Sequence, residues 1–418
     1  MATMDVEALG EEMLAFLAAR EDEVVNLTSE LVAAPSPNLP GDETAPAAVV
    51  QRALAAYDLP APRVLAAEPN RPNLIVRIDA AHPGPHLALC GHLDTKPVGQ
   101  AAAEWRTDPF LPTIEGDRLY GLGSTDMKGA CAAMILAGAA FAAVADRAAG
   151  SLSLVFTADE EYGSRLGAEH LARTGAIDAD AILLGEPAGV HRDWEAIRVV
   201  SRGFSGFRVI VTGTQTHSSI SDQVESVNAV EAMARVIVGL RRELRLRSPE
   251  HPLCSTGPTV NIGVRAEGGV GYGVLPGHAE FWTDIRTIPG MTEEALAQDI
   301  DAALARIRPE VPGADVRWEF SPALAWIGPT EVAPEHPMVR AALAASERVL
   351  GETPPLAAFP GASDAWPLQG IGGIPTLAAW GPGLLPLAHG PNEYVSVRAL
   401  EQAPPIFALT ALHFGASA

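Results

Sequence analysis

Apolar residues recur at helical spacing from the start of the chain. Leu14, Leu17, Val24, Leu27 and Leu31 predict helix over 6–34, stopped by Pro35-Ser36-Pro37. A loop with Gly41-Asp42-Glu43 then precedes a second helix near 44–58. Asn73-Leu74-Ile75-Val76-Arg77-Ile78 and the run 86–91 predict strands. The stretch 95–125 holds Trp105, Pro109, Pro112 and several glycines, and a loop of that length is more often functional than filler. Helix 128–145, strand 151–157, a helix near 166–173 and strand 181–184 come next. Strands alternating with helices imply a largely parallel sheet covered on both faces.

The rhythm changes between about 200 and 320. Strand 204–212, helix 226–245, strands 258–264 and 278–285, helix 293–308 and strand 315–320 give the order βαββαβ, a split βαβ pattern. Helix 337–350, strand 374–379 and helix 397–412 then resume the first rhythm. The expected organisation is an α/β domain, residues 1–199 plus 321–418, interrupted by an inserted domain at 200–320. The sequence has no internal repeat and no low-complexity tail.

Composition narrows the picture in three places. The 418 residues suffice for two or three domains, and 48% apolar with 19% charged residues is ordinary for a globular protein. A formal net charge of −22 argues against nucleic acid or an anionic membrane surface as partner. Cys90, Cys131 and Cys254 are far apart and lack C-x-x-C spacing, which predicts neither a disulfide framework nor a zinc knuckle and fits a reducing, cytoplasmic setting. Residues 1–12 are acidic, with no basic segment leading into an apolar core, so no secretory signal is expected there. The longest uncharged run, 129–145, falls short of the roughly 20 residues a bilayer span needs. Its alanines and glycines suit a buried helix packed tightly on a sheet.

Candidate chemistry sits where strands end. In Cys90-Gly91-His92-Leu93-Asp94-Thr95-Lys96-Pro97, His92 and Asp94 leave a buried strand two residues apart, which puts both side chains on one side. That geometry suits a metal-bound imidazole steadied by a carboxylate, although a polar strand end with a satisfied histidine would look the same. Asp126 lies in Gly121-Leu122-Gly123-Ser124-Thr125-Asp126-Met127-Lys128-Gly129, where an N-cap carboxylate would serve equally. Thr157-Ala158-Asp159-Glu160-Glu161-Tyr162-Gly163 closes the next strand with three adjacent carboxylates, which repel each other unless a cation is present. Gly185-Glu186-Pro187 ends the strand after that, and Ala388-His389-Gly390-Pro391-Asn392-Glu393 offers a second histidine.

In an open α/β sheet, ligands collect beyond the carboxyl ends of the strands. Two imidazoles with three or four carboxylates gathered there suit two divalent, borderline metals such as zinc, with cobalt or manganese sharing the same ligand types. Asp126, Glu161 and Glu186 would bring about three negative charges to four positive ones. The surplus would lower the pKa of a bridging water from about 15.7 to about 7. Of two adjacent carboxylates, one can bind metal while its neighbour shuttles protons.

This ordered set of motifs resembles the M20 family of dinuclear zinc amidohydrolases and exopeptidases over nearly the whole chain. The resemblance implies that His92 and Glu186 ligate one metal, that His389 and Glu161 ligate the other, and that Asp126 bridges both and is often followed by a cis peptide. It implies Asp94 as the residue orienting His92 and Glu160 as the general base. In the inserted lid, Thr216-His217-Ser218-Ser219 resembles the family's histidine that reaches across a dimer to the scissile carbonyl. Asp284-Ile285-Arg286 resembles its D-x-R, whose arginine pairs with a substrate carboxylate. Gly361-Ala362-Ser363-Asp364-Ala365 resembles the glycine loop lining the substrate site. Two segments depart from the family pattern, Gly273-Val274-Leu275-Pro276-Gly277 and Ile220-Ser221-Asp222-Gln223-Val224-Glu225, and both touch substrate identity rather than the metal centre.

For the protein as a whole, the resemblance implies a homodimeric hydrolase, joined through the lid, that cleaves the amide bond of an N-acyl amino acid or related carboxylate-bearing amide. The agent would be a metal-bridged hydroxide, with Glu160 as base. A dipeptidase or carboxypeptidase of the same family is the alternative. From other classes, a non-catalytic metal-dependent binding protein has no need of Glu160. Phosphoester hydrolysis lacks a phosphate-cradling glycine loop with Lys-Ser/Thr.

Overall fold

A computed structural model describes residues 5–322, 324 and 326–417; the first four residues of the acidic start lie outside it. The chain divides into two units, Met1–Ser201 with Thr330–Phe359 and Ser363–Ala418, and Arg202–Pro329 with Pro360–Ala362.

In the first unit, Leu87, Ala88, Leu89 and Cys90 of strand His82–His92 are wholly buried, apolar on both faces as an interior parallel strand requires. The six-stranded sheet runs Arg63–Ala66, Pro72–Asp79, Ala149–Thr157, His82–His92, Ala181–Leu184, Thr376–Leu377. The last four strands pair in parallel, and the first two add on antiparallel. Register positions the site. His92 stands opposite Thr157, and Cys90 opposite Leu184, so the segments carrying Asp94, Glu160 and Glu186 all leave one edge of the sheet.

Helix Gly129–Val144 is buried at all but two positions, as its small side chains allow. A Cβ on Gly138 would come 2.8 Å from Leu154 Cδ1, so the helix packs closely on the sheet there. Helix Ser124–Val144 is, among the described residues, the one long and apolar enough to cross a membrane, and 89% of its apolar window is buried inside the fold.

In the first unit, some elements differ from the sequence-based expectation. The helix expected over 6–34 is two, Val6–Ala18 and Glu21–Val32, because Arg20 leaves helical geometry and turns its guanidinium back onto the Phe16 carbonyl. The expected strand at 374–379 shrinks to Thr376–Leu377. The loop 95–125 contains a hairpin, Thr113–Glu115 with Arg118–Tyr120, joined through Gly116 at φ 60.

The second unit keeps the βαββαβ order. Its sheet runs Thr259–Gly268, His278–Thr287, Gly203–Thr212, Asp315–Phe320, every neighbour antiparallel. Burial alternates along His278–Thr287, and Phe207, Val209 and Phe281 meet Leu240, Ile300 and Leu304 from helices Ala229–Glu243 and Glu293–Ile307. The first helix begins at Ala229 rather than 226 because the Asn228 side chain caps it, accepting from the amides of Val230 and Glu231.

Phe281 is fully buried at the centre of this sheet. Phe281→Ala should destabilise the second unit by about 3–5 kcal/mol, read as a lower midpoint in urea unfolding; a loss under about 1 kcal/mol, the level of an average point substitution, would contradict this packing.

Candidate active site

Seven of the expected residues come together beyond the sheet edge. His92 is the last residue of its strand, and its Nδ1 lies 3.0 Å from the main-chain carbonyl of Asp94 and 3.5 Å from Asp94 Oδ1. The ring is therefore steadied first by the backbone of Asp94 and second by its carboxylate. His92 Nε2 points the other way, 3.0 Å from Asp126 Oδ1 and 3.9 Å from Glu186 Oε1. His389 approaches from the far end of the chain, with Nε2 3.1 Å from Asp126 Oδ2 and 3.1 Å from Glu161 Oε2. Asp126 thus offers one oxygen to each imidazole. Glu160 joins on the His92 side, where ligand atoms of His92, Glu160 and Glu186 lie within 4.8 Å of one another. His92, Asp126 and Glu161 form a second such group.

Local structure explains each placement. Asp126 sits in the turn Ser124–Lys128, and the peptide bond to Met127 is cis. The amides of Thr125 and Asp126 both donate to Glu393 Oε1, at 2.9 and 3.1 Å, which ties this turn to the His389 loop. Asp94 is fully buried and accepts from the amides of Glu160 and Glu161, each at 3.1 Å. His389 itself has φ 63, within a loop that turns at Gly390-Pro391.

Crowding sets the electrostatics. Burial pushes Glu160 well above the usual carboxylate range, and the Glu186 charge adds to it. Glu186 is raised for the same reason, with Asp126 as the adding charge. Burial would lower both imidazoles, but the carboxylates outweigh it. His92 is drawn up by Asp126 and Asp94, and His389 reaches about 10 through Asp126 and Glu161. Asp126 goes the opposite way: burial opposes its charge, yet His389 and His92 hold it well below the ordinary value.

These shifts mark a buried carboxylate surplus that protons on the imidazoles only partly offset. Divalent cations meet that demand better. The donors are nitrogen and oxygen only, mutually close and mostly buried, which fits zinc, cobalt or manganese.

Several contributors went unread in the sequence. Lys96 Nζ lies 3.1 Å from Glu161 Oε2 and also donates to the Glu161 carbonyl. Buried Asp364 accepts from Thr157 Oγ1 at 2.9 Å and from Ser164 Oγ. Lys96, Asp364 and Glu393 all lie inside motifs picked out for other residues, so membership of the motif was their available signal. Asn38 donates through Nδ2 to Asp94 and Asp159 and had no such signal.

His217, Arg286 and Gly361 belong to the second unit. His217 is exposed on the two-residue strand Thr216–His217, opposite Val274, and its Nδ1 accepts from the Ser219 amide at 3.2 Å. The Arg286 guanidinium lies 4.7 Å over the Phe204 ring, with Nε 3.6 Å from Asp284 Oδ1. Gly361 lies in the short segment Pro360–Ala362.

The sequence model of peptidase family M20/M25/M40 matches residues 88–413. The chain belongs to that family. Among relatives, the acetylornithine deacetylase of Salmonella arizonae is 31% identical over 348 residues, covering 82% of this chain and 84% of that protein. The solved structure of aminopeptidase PepT from Bacillus cereus superposes with a TM-score of 0.75 at 21% identity, covering 94% of this chain and 98% of that one. An M20 family metallo-carboxypeptidase from Sulfolobus solfataricus gives 0.75 at 19% identity, covering 94% and 100%. As an M20 member the protein is a metal-dependent hydrolase of the amidohydrolase and peptidase class.

Metal binding should couple to stability through Asp126. Saturating the chelator-stripped protein at about 100 times Kd should add about 2.7 kcal/mol, seen as a rise in melting temperature. Asp126→Ala should abolish most of that metal-dependent rise; a full rise in the variant would exclude Asp126 as a ligand.

Proposed function

We propose that the protein hydrolyses the amide bond of an N-acyl amino acid or a related carboxylate-bearing amide. Two divalent ions, most simply zinc, would be held by His92, Asp126 and Glu186 and by His389, Asp126 and Glu161. The observation that carries this reading is the division of the Asp126 carboxylate between two imidazoles, with Glu160 alongside. The acetylornithine deacetylase at 31% identity supports the choice of an acyl amino acid over a longer peptide.

When bound, the ions supply Lewis acidity, polarising the scissile carbonyl and acidifying water. The chain's own residues do the rest. Glu160 removes a proton from the attacking water as the nucleophile adds to the acyl carbon. Its carboxyl retains that proton until the amine departs. Glu160 then returns the proton to the leaving nitrogen as the C–N bond breaks. Asp94 keeps the His92 ring aligned and holds the Glu160 and Glu161 amides.

The proposal extends to the second unit. Since His217 Nδ1 accepts from Ser219, the neutral ring carries its proton on Nε2, the form that can donate to a developing oxyanion. Arg286 has the fork that binds a substrate carboxylate in a bidentate manner, and Gly361 lines the substrate. We assign the second unit the role of joining a homodimer, and the protein to the cytoplasm, a reducing setting that suits the buried Cys90, Cys131 and Cys254.

Glu160→Ala should leave metal content unchanged and lower kcat by roughly 10²–10⁴-fold; near-normal turnover would refute the assignment. A panel of N-acetyl, longer N-acyl, N-succinyl and N-carbamoyl amino acids beside dipeptides should show its highest kcat/KM on an N-acyl amino acid. A preference for dipeptides would favour a peptidase instead.

A further inference from the structure

Behind the turn that presents Glu160 and Glu161 lies a buried ion-pair network that the chemistry above does not use. Arg71 stands just before strand Pro72–Asp79, with 4% of its surface exposed. Its guanidinium forks onto Glu43, Nε to Oε2 at 2.7 Å and Nη2 to Oε1 at 2.8 Å. The same Nη2 donates to Asp159 Oδ1 at 3.1 Å. Glu43 and Asp159 are likewise buried. The chain makes room for the guanidinium at Gly41, where φ is +80 and a Cβ would come 2.3 Å from Arg71 Nη1.

Asp159 is held by more than Arg71. Asn38 Nδ2 bridges Asp159 Oδ1 at 3.0 Å and Asp94 Oδ2 at 2.9 Å. Asp159 Oδ2 accepts from the Leu166 amide at 3.0 Å. The residue has φ +64, a left-handed conformation that aspartate tolerates but does not seek, so side-chain anchors must stabilise it. Asp94 holds the next two amides of the same turn. The backbone leading into Glu160 and Glu161 is thus gripped twice, by Asp94 directly and by Arg71 through Asp159.

We propose that Arg71 is a positioning residue: through Asp159 it sets where the Glu160 and Glu161 carboxylates stand at the metal centre. This role rests on the assignment of Glu160 and Glu161 made above. Arginine is needed because one planar cation must satisfy two carboxylates in different directions, which the point charge of lysine cannot do.

Arg71→Met alone would leave Glu43 buried and uncompensated, so the informative variant is Arg71→Met combined with Glu43→Gln, which removes both charges. Two measurements are made on the full-length protein: steady-state kinetics, and competition for zinc against a chromophoric chelator. With the melting temperature within a few degrees of wild type and KM within about twofold, kcat and zinc affinity should each fall roughly 10–100-fold, the scale seen when residues supporting metal ligands are lost. Wild-type kcat and zinc affinity in that variant would overturn the proposal and reduce Arg71 to a structural ion pair. Should the double variant not fold, Asp159→Asn keeps the side-chain shape and the Leu166 hydrogen bond through its amide oxygen while its NH2, facing Arg71 Nη2 and Asn38 Nδ2, releases both donors, and the same losses are expected. Chelator competition needs no substrate, so it stands if the acyl amino acid assignment fails. Conversely, an inactive Glu160→Ala beside an unimpaired double variant would sink the role of Arg71 alone.

Discussion

Mutual repulsion among buried carboxylates is the constraint around which the first unit is built. Asp126, Glu160, Glu161 and Glu186 converge on two imidazoles. Like charges about 4 Å apart cost about 4 kcal/mol per pair at the effective dielectric of a partly buried site. No folded domain keeps such a cluster unless something positive repeatedly occupies it or the geometry serves a reaction. Protons on His92 and His389 and the ammonium of Lys96 meet part of the demand. Divalent cations would meet the remainder.

Parallel pairing makes the convergence possible. Because His92 faces Thr157 and Cys90 faces Leu184, three chain segments leave the sheet on the same edge. The fourth and fifth contributors arrive differently, Asp126 from the turn before a buried helix and His389 from a loop near the end of the chain. Glu393 couples these two by accepting from the amides of Thr125 and Asp126. A loop and a turn more than two hundred residues apart therefore move as one support.

How much of this is legible in the sequence depends on how local the cause is. Strand ends carrying His92, Glu160, Glu161 and Glu186 are visible because a short apolar run leading into a charged residue is a local signal. The helix break at Arg20 is not, since Leu17 and Val24 are both buried and the apolar spacing runs on across it. Arg71 and Asn38 are hidden for another reason. Their partners lie 28 and 88 residues away for Arg71, and 56 and 121 for Asn38. Nothing in the neighbourhood of Arg71 marks it as different from an exposed arginine before a strand; only the fold reveals that it is enclosed.

The contact between Gly138 and Leu154 has a consequence for how this enzyme tolerates change. The helix from Gly129 to Val144 is a stiff rod seated against the sheet on small side chains, and the turn holding Asp126 is fixed to its leading end. Bulk introduced at Gly138 meets the Leu154 side-chain terminus first, and in a close-packed interior that methyl must shift to admit it. The nine residue steps from Gly129 to Gly138 span on the order of 14 Å of helix, which places this packing contact well away from the carboxylate cluster. Plain glycine and alanine in this segment set how closely the helix that follows Asp126 seats on the sheet.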